Sequence, residues 1–171
     1  MTDLLLNEEE KMLQAAVRDF ADRELVPRAK TIDEREEFSF ENWHGMSALG
    51  LTGIGIPEDL DGSGGGYRQV CIAVEEIARG DASASVCLIS HLSLGSRTIF
   101  EYSNEEQKQN YMPPLSRGES ISAWALTEPN AGTDAAAIQT TATSHNSHYY
   151  LNGTKIFISN GNIADYIVVF A

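Results

Sequence analysis

The residue types best suited to holding an anionic group lie in the segment Trp124-Ala125-Leu126-Thr127-Glu128-Pro129-Asn130-Ala131-Gly132-Thr133-Asp134. An apolar–hydroxyl pair, Leu126-Thr127, precedes a loop of small residues containing Gly132 and Thr133. Backbone N–H groups and short hydroxyls in such a loop suit a pyrophosphate without needing a lysine. On this segment alone, an ordinary strand-to-loop turn is the simpler reading.

A second candidate is the glycine-rich stretch Asp61-Gly62-Ser63-Gly64-Gly65-Gly66. As a dinucleotide fingerprint it fails, because Tyr67 stands where the third glycine belongs and no strand–helix unit surrounds it. As a calcium loop it begins well with Asp59, Asp61 and Ser63, but Val70 occupies the place of the bidentate carboxylate. No Gly-Lys-Ser/Thr of a P-loop follows, so a structural loop between helices is expected. His44, His91, His145 and His148 have no metal-ligand spacing, and no metal site is expected. No nucleophile elbow or Ser/Cys–His pairing is visible.

The elements that position these residues change character near residue 120. Asn7 followed by Glu8, Glu9 and Glu10 reads as a cap and acidic first turn. Leu13, Val17, Phe20 and Ala21 then recur at helical spacing until Pro27 ends or kinks the helix. Ser39 caps a second helix that Gly50 stops, and Gly53, Gly55 and Pro57 mark a loop. A third helix starts near Tyr67 and closes at Gly80. Asp81 caps a fourth, Ala82 to about Tyr102, which is apolar or small almost all round and is expected to be buried in its domain. Ser103 with Glu106 reads as the capping box of a fifth helix running to Pro113-Pro114.

Beyond Gly118 the period shortens. Gln139–Thr143 and His148–Leu151 read as strands. Asn152-Gly153 reads as a hairpin turn, Lys155–Ser159 as its continuation, and Tyr166–Phe170 as one more apolar strand. A sheet ending on that unguarded apolar edge is incomplete, so the chain is expected to be a fragment. Cys71 and Cys87 fall in apolar helical stretches and read as reduced core thiols of a cytosolic protein. A net charge of −13 argues against nucleic acid and anionic lipid. No apolar run approaches a membrane span, and Met1–Leu6 lacks the basic region of a signal peptide.

Taken in order, four blocks resemble the acyl-CoA dehydrogenase family, along essentially the whole chain. They are Gly50-Leu51 through Ile56-Pro57-Glu58 with the glycine loop; Glu75-Glu76-Ile77-Ala78-Arg79 followed by Asp81-Ala82-Ser83; Leu126 to Asp134; and Asn152 to Gly161. The last two resemble the family's L-T-E-P-x-A-G-S-D flavin loop and its N-G-x-K-x-[WF]-I-[ST]-N-G segment. Here Asn130 replaces the commoner glycine and Thr133 replaces serine, and both changes keep the local chemistry.

The resemblance implies an α+β architecture: an all-α helical domain over residues 1–120, then the opening antiparallel strands of a β-barrel-like, FAD-binding middle domain over 121–171. By matching positions, the backbone of Trp124 and Leu126 and the hydroxyl of Thr127 address the polar edge of the flavin. Thr133 meets the FAD pyrophosphate and the thioester arm of the acyl-CoA substrate. Phe157 packs on the ring, with Ile158 beside it and Ser159 near the nitrogen that accepts hydride. Glu128 reads as structural because Pro129 follows it in the loop. The implied reaction removes the α-proton of an acyl-CoA with a glutamate while the β-hydrogen leaves as hydride to flavin, giving a trans-2-enoyl-CoA. Electrons then pass to electron-transfer flavoprotein. The glutamate is expected in a C-terminal segment outside this chain, so no catalytic residue is assigned. The full-length enzyme is expected to be a homo-oligomer, cytoplasmic, or in the mitochondrial matrix if a transit peptide has been removed. An acyl-CoA oxidase, or a flavin-free interaction protein built on the same half, would share these blocks.

Overall fold

The computed structural model describes residues 5–171, so the first four residues of Met1–Leu6, the segment read as lacking a basic leader, lie outside the described residues. Asn7 opens α1, Glu8–Phe20, through a reciprocal box: its side chain accepts from the Glu10 N–H at 2.8 Å, and the Glu10 carboxylate accepts from the Asn7 N–H at 3.0 Å. Pro27 neither ends nor sharply breaks the run. A π-helical segment, Ala21–Leu25, intervenes and places Pro27 in the first turn of α2, Val26–Arg35. A first turn needs no N–H from that residue, so the proline is tolerated.

Ser39 caps α3, Phe40–Ala48, and the glycine-rich connection that follows contains two short 3-10 turns, Leu51–Gly53 and Glu58–Leu60. Helix α4, Tyr67–Gly80, and helix α5, Ala82–Ile89, meet at Asp81, whose carboxylate accepts from the Ala84 N–H at 3.0 Å. From α5 the helix widens into a second π segment, Ser90–Ser96, and resumes as α6, Arg97–Tyr102.

The expectation that this long helix is buried on all sides is corrected. Leu88 and Leu92 are buried, together with the small residues Ala84, Ser85, Gly95 and Ser96, but Val86 is 50% exposed and Ile89 and Leu94 face outward. The core takes the small-residue side, where backbones approach closely. At Gly95 an added Cβ would overlap the Ser122 hydroxyl. The thiols are corrected too: both are free, but Cys71 is exposed and Cys87 only partly buried.

Helix α7, Glu105–Ser116, is capped one residue later than expected, by Asn104 paired with Gln107. It also runs through Pro113 and Pro114 rather than stopping at them. The carbonyls those prolines leave without a donor belong to Gln109 and Asn110, which are exposed and open to water.

Val17, Ala21, Leu25, Trp43, Met46, Leu51, Ala73, Ile77, Leu88 and Leu92 form one buried cluster that reaches Ile121. Trp43 is its largest member and satisfies its indole N–H on the Gly118 carbonyl at 2.8 Å. Between α1 and α4, Glu76 is buried but accepts from Arg18 and Arg79.

Four strands follow. β2, Thr141–His145, and β3, His148–Asn152, form an antiparallel hairpin, as expected for this region. β1, Ser122–Ala125, instead pairs in parallel with β4, Tyr166–Val169. The hairpin turn is at Asn146-Ser147, both with positive φ (48° and 66°), and not at Asn152-Gly153. Gly153 serves close approach: a Cβ there would overlap Thr140. Lys155–Ser159 is likewise not a strand, and Phe157 within it has φ 56°.

Candidate functional site

The parallel pairing decides which backbone groups of β1 are free. Ile121 accepts from the N–H groups of Asp165 and Tyr166, and Ala125 accepts from Phe170 at 3.1 Å. In a parallel ladder, alternate residues turn to the partner. Ser122, Trp124 and Leu126 therefore present their backbone groups on the opposite edge. Ser122 spends its share on the helical domain: its N–H donates to His91 Nδ1 at 3.1 Å, and its carbonyl accepts from Asn160 Nδ2 at 3.3 Å. Trp124 and the N–H of Leu126 remain on that edge. The Trp124 ring packs edge-on against Phe170.

His91 anchors this seam. It accepts at Nδ1, so its proton sits on Nε2, 3.2 Å from the Leu115 carbonyl. Complete burial pushes its pKa down to about 4, and it stays neutral.

The two motif blocks meet one step further along. The Leu126 carbonyl accepts from Lys155 Nζ at 2.8 Å, and the Thr127 carbonyl accepts from the Ile156 N–H at 3.0 Å. The same ammonium binds Glu128 Oε1 at 2.8 Å, with both side chains almost wholly out of water. Glu128 also accepts from the N–H groups of Gln139 and Thr140, at 2.7 and 2.9 Å, and from the Thr140 hydroxyl. Lys155 foremost, then these donors, hold its carboxyl down to about 2. A carboxylate so saturated is a structural group, as its place before Pro129 suggested.

Thus Leu126 and Thr127 lie beside the segment leading to Phe157, Ile158 and Ser159. Phe157 is 90% exposed, an unusual setting for an aromatic ring on left-handed backbone, while Ile158 is half-buried and Ser159 exposed. Asn160 fixes the end of this segment by donating to the carbonyls of Cys87 and Ser122 at 3.0 and 3.3 Å. Thr133 is exposed, two residues past the Glu128–Ala131 bridge, and no hydrogen bond ties it to the Phe157 segment. Among the described residues, no cluster of histidine, cysteine and carboxylates is suited to a metal.

Sequence reasoning named neither Lys155 nor Thr140 nor Asn160 as a site residue. The signal for one was present: Glu128 is the sole formal charge between Glu119 and Asp134, and Lys155 the sole one between Asp134 and Asp165. Opposite charges isolated in a neutral stretch are candidates for a buried pair.

Residues 7–119 match the family model described as the acyl-CoA dehydrogenase N-terminal domain, and residues 123–171 match the middle domain. The short-chain-specific acyl-CoA dehydrogenase of Clostridium acetobutylicum is 45% identical over 169 residues, 99% of this chain and 45% of that protein. A glutaryl-CoA dehydrogenase from Mycobacterium smegmatis, solved with FADH2, superposes with TM-score 0.94 at 33% identity, over 99% of this chain and 44% of that one. A chain in a structure described as the electron transferring flavoprotein of Acidaminococcus fermentans superposes with TM-score 0.93 at 38% identity, covering 97% and 44%. The chain therefore spans a little under half the length of the relatives it matches. With both family models matched in order and the fold shared throughout, this chain belongs to the acyl-CoA dehydrogenase family.

Proposed function

We propose that this chain supplies the helical domain, residues 1–120, and the flavin-facing part of the middle domain, 121–171, of an FAD-dependent acyl-CoA dehydrogenase. The observation that carries the reading is the free edge of β1. The Trp124 backbone and the Leu126 N–H lie there as unspent polar groups, beside a segment that exposes Phe157 and Ser159. Hydrogen-bonding groups along one edge and an exposed aromatic ring fit a planar heterocycle with a polar rim.

FAD supplies the hydride acceptor when bound. The chain's residues hold and orient: Trp124, Leu126 and Thr127 along the ring's polar edge, Phe157 and Ile158 against its face, and Ser159 near its acceptor nitrogen. Thr133 serves the pyrophosphate and the thioester arm of the acyl-CoA. The general base is assigned to no residue of this chain. Similarity to the Acidaminococcus fermentans structure supports electron-transfer flavoprotein as the electron acceptor, and the full enzyme is taken to be a homo-oligomer. Among the described residues, no helix is long and apolar enough to cross a membrane.

The test is an absorbance titration of the full polypeptide. We expect it to retain FAD, with the flavin band bleaching under anaerobic addition of a saturated acyl-CoA. Protein that takes up no FAD would overturn the reading.

A further inference from the structure

We propose that Lys155 is the positioning residue of the flavin-facing edge: locked to Glu128, its ammonium holds the Leu126 carbonyl and so fixes the Leu126–Thr127 peptide that carries Thr127 to that edge. This inference rests on the FAD reading above and adds to it a residue that touches no cofactor.

Three segments distant in sequence converge on one ion pair. Leu126 and Glu128 come from the loop after β1, Gln139 and Thr140 from the approach to β2, and Lys155 from the run after β3. Lys155 Nζ is 2.8 Å from the Leu126 carbonyl and 2.8 Å from Glu128 Oε1. Its side chain is 12% exposed and that of Glu128 is 6%. Gly153 completes the cluster, because any side chain there would displace Thr140, whose hydroxyl serves Glu128. The glycine and lysine of the Asn152-Gly153-Thr154-Lys155 run thus act on the same point.

The geometry asks for more than fold maintenance. The ladder ends where Phe170 bonds the Ala125 carbonyl, so the next peptide, Leu126–Thr127, has no ladder bond to fix its plane. The ammonium supplies that restraint on the carbonyl side, and the neighbouring Ile156 N–H does so for Thr127. A peptide held by a lysine rotates when the lysine is removed, and Thr127, whose nitrogen it contains, moves with it. A buried pair is also a weak source of stability compared with apolar packing but a strong source of geometric definition.

The experiment uses the full polypeptide and compares wild type, Lys155→Met, Lys155→Arg and the double variant Lys155→Met/Glu128→Gln. Each is measured for FAD affinity, flavin absorption maximum and reduction potential, alongside the unfolding temperature of the apoprotein. Lys155→Met alone strands a buried carboxylate and is expected to lose stability. The double variant removes both charges and is expected to recover most of it. We expect the double variant still to bind FAD roughly tenfold or more weakly, with a displaced absorption band and potential, and Lys155→Arg to restore part of each. A double variant that is stable and binds FAD with wild-type affinity, spectrum and potential would overturn the proposal and leave the FAD reading standing. Wild-type protein that binds no FAD would instead remove the reading, and the proposal with it.

Discussion

The helical and strand regions of this chain are held together by different forces. Residues 8–116 surround an apolar core in which Val17, Leu25, Trp43, Met46 and Leu88 are all but inaccessible. The strand region has little of that. Every residue of β2 and β3 is exposed, and Tyr149, Tyr150 and Leu151 lie open to solvent. Its order comes from two-stranded ladders and from the polar knot around Glu128 and Lys155. Burial of apolar area resists perturbation anywhere in a core. A polar knot fixes geometry at one point and fails when one partner is lost.

The sharpest way to break this contrast is to truncate one large aromatic in each region. Trp43→Ala removes a buried ring and its indole bond to Gly118. We expect it to cost about 3–5 kcal/mol by chemical denaturation. Tyr150→Ala, on the exposed hairpin, is expected within about 0.5 kcal/mol of wild type. Equal losses would show that the hairpin is packed in solution.

Acid sharpens the comparison further. The fold holds His91 neutral, with its pKa at about 4 against an ordinary 6.5. The unfolded chain therefore binds more protons between those values, and stability is lost as pH falls through that window. Glu128 is held at about 2 against 4.5, so its contribution is present above 4.5 and lost only as pH falls below that. We expect amide exchange to loosen at the His91–Ser122 seam first and around Thr140 later. His91→Gln should flatten the first step, and simultaneous loosening would contradict the order.

A smaller effect is expected at Gly153→Ala, where the new methyl must displace Thr140. We expect a loss of about 1–3 kcal/mol confined to the strand region, visible as faster exchange at Gln139 and Thr140. Smaller still is the thiol contrast. Cys71 should react with an alkylating reagent at an ordinary rate without unfolding the protein. Cys87, partly buried and with its thiol pKa raised by that burial, should react more slowly.

How legible each region was in the sequence follows the same division. Caps are local chemistry, so Asn7, Ser39 and Asp81 could be read directly. The reading slipped by one residue at Ser103-Asn104, where two good capping residues adjoin and only the partner, Gln107 rather than Glu106, decides. Pro27, Pro113 and Pro114 read as stops, yet a π turn or an exposed final turn absorbs what an interior position would not. In the strand region, Asn152-Gly153 carries a strong local turn signal but serves a contact made with Thr140. The true turn used Asn146-Ser147, whose positive φ angles the composition did not demand. Lys155 lies within a motif, yet its role depends on three segments that only the fold brings together. The resemblance points to the site residues, while the commitment of the Leu126 carbonyl to Lys155 exists only in the folded chain.

The π segment Ser90–Ser96 gives the long helix a phase offset. A turn wider than the α-helix behaves as an inserted residue, and each inserted residue swings everything beyond it by roughly 100° about the axis. His91 and Ser96 both bond the Ser122 strand, and Gly95 lies against it, while Leu94 between them looks outward. Deleting one residue within Ser90–Ser96 would relax the turn to ordinary α geometry and leave α5 and α6 in helical continuity. Deleting one inside α5 would instead rotate Leu88 out of the core. The helix therefore carries its own splice point, at the place where it touches the sheet.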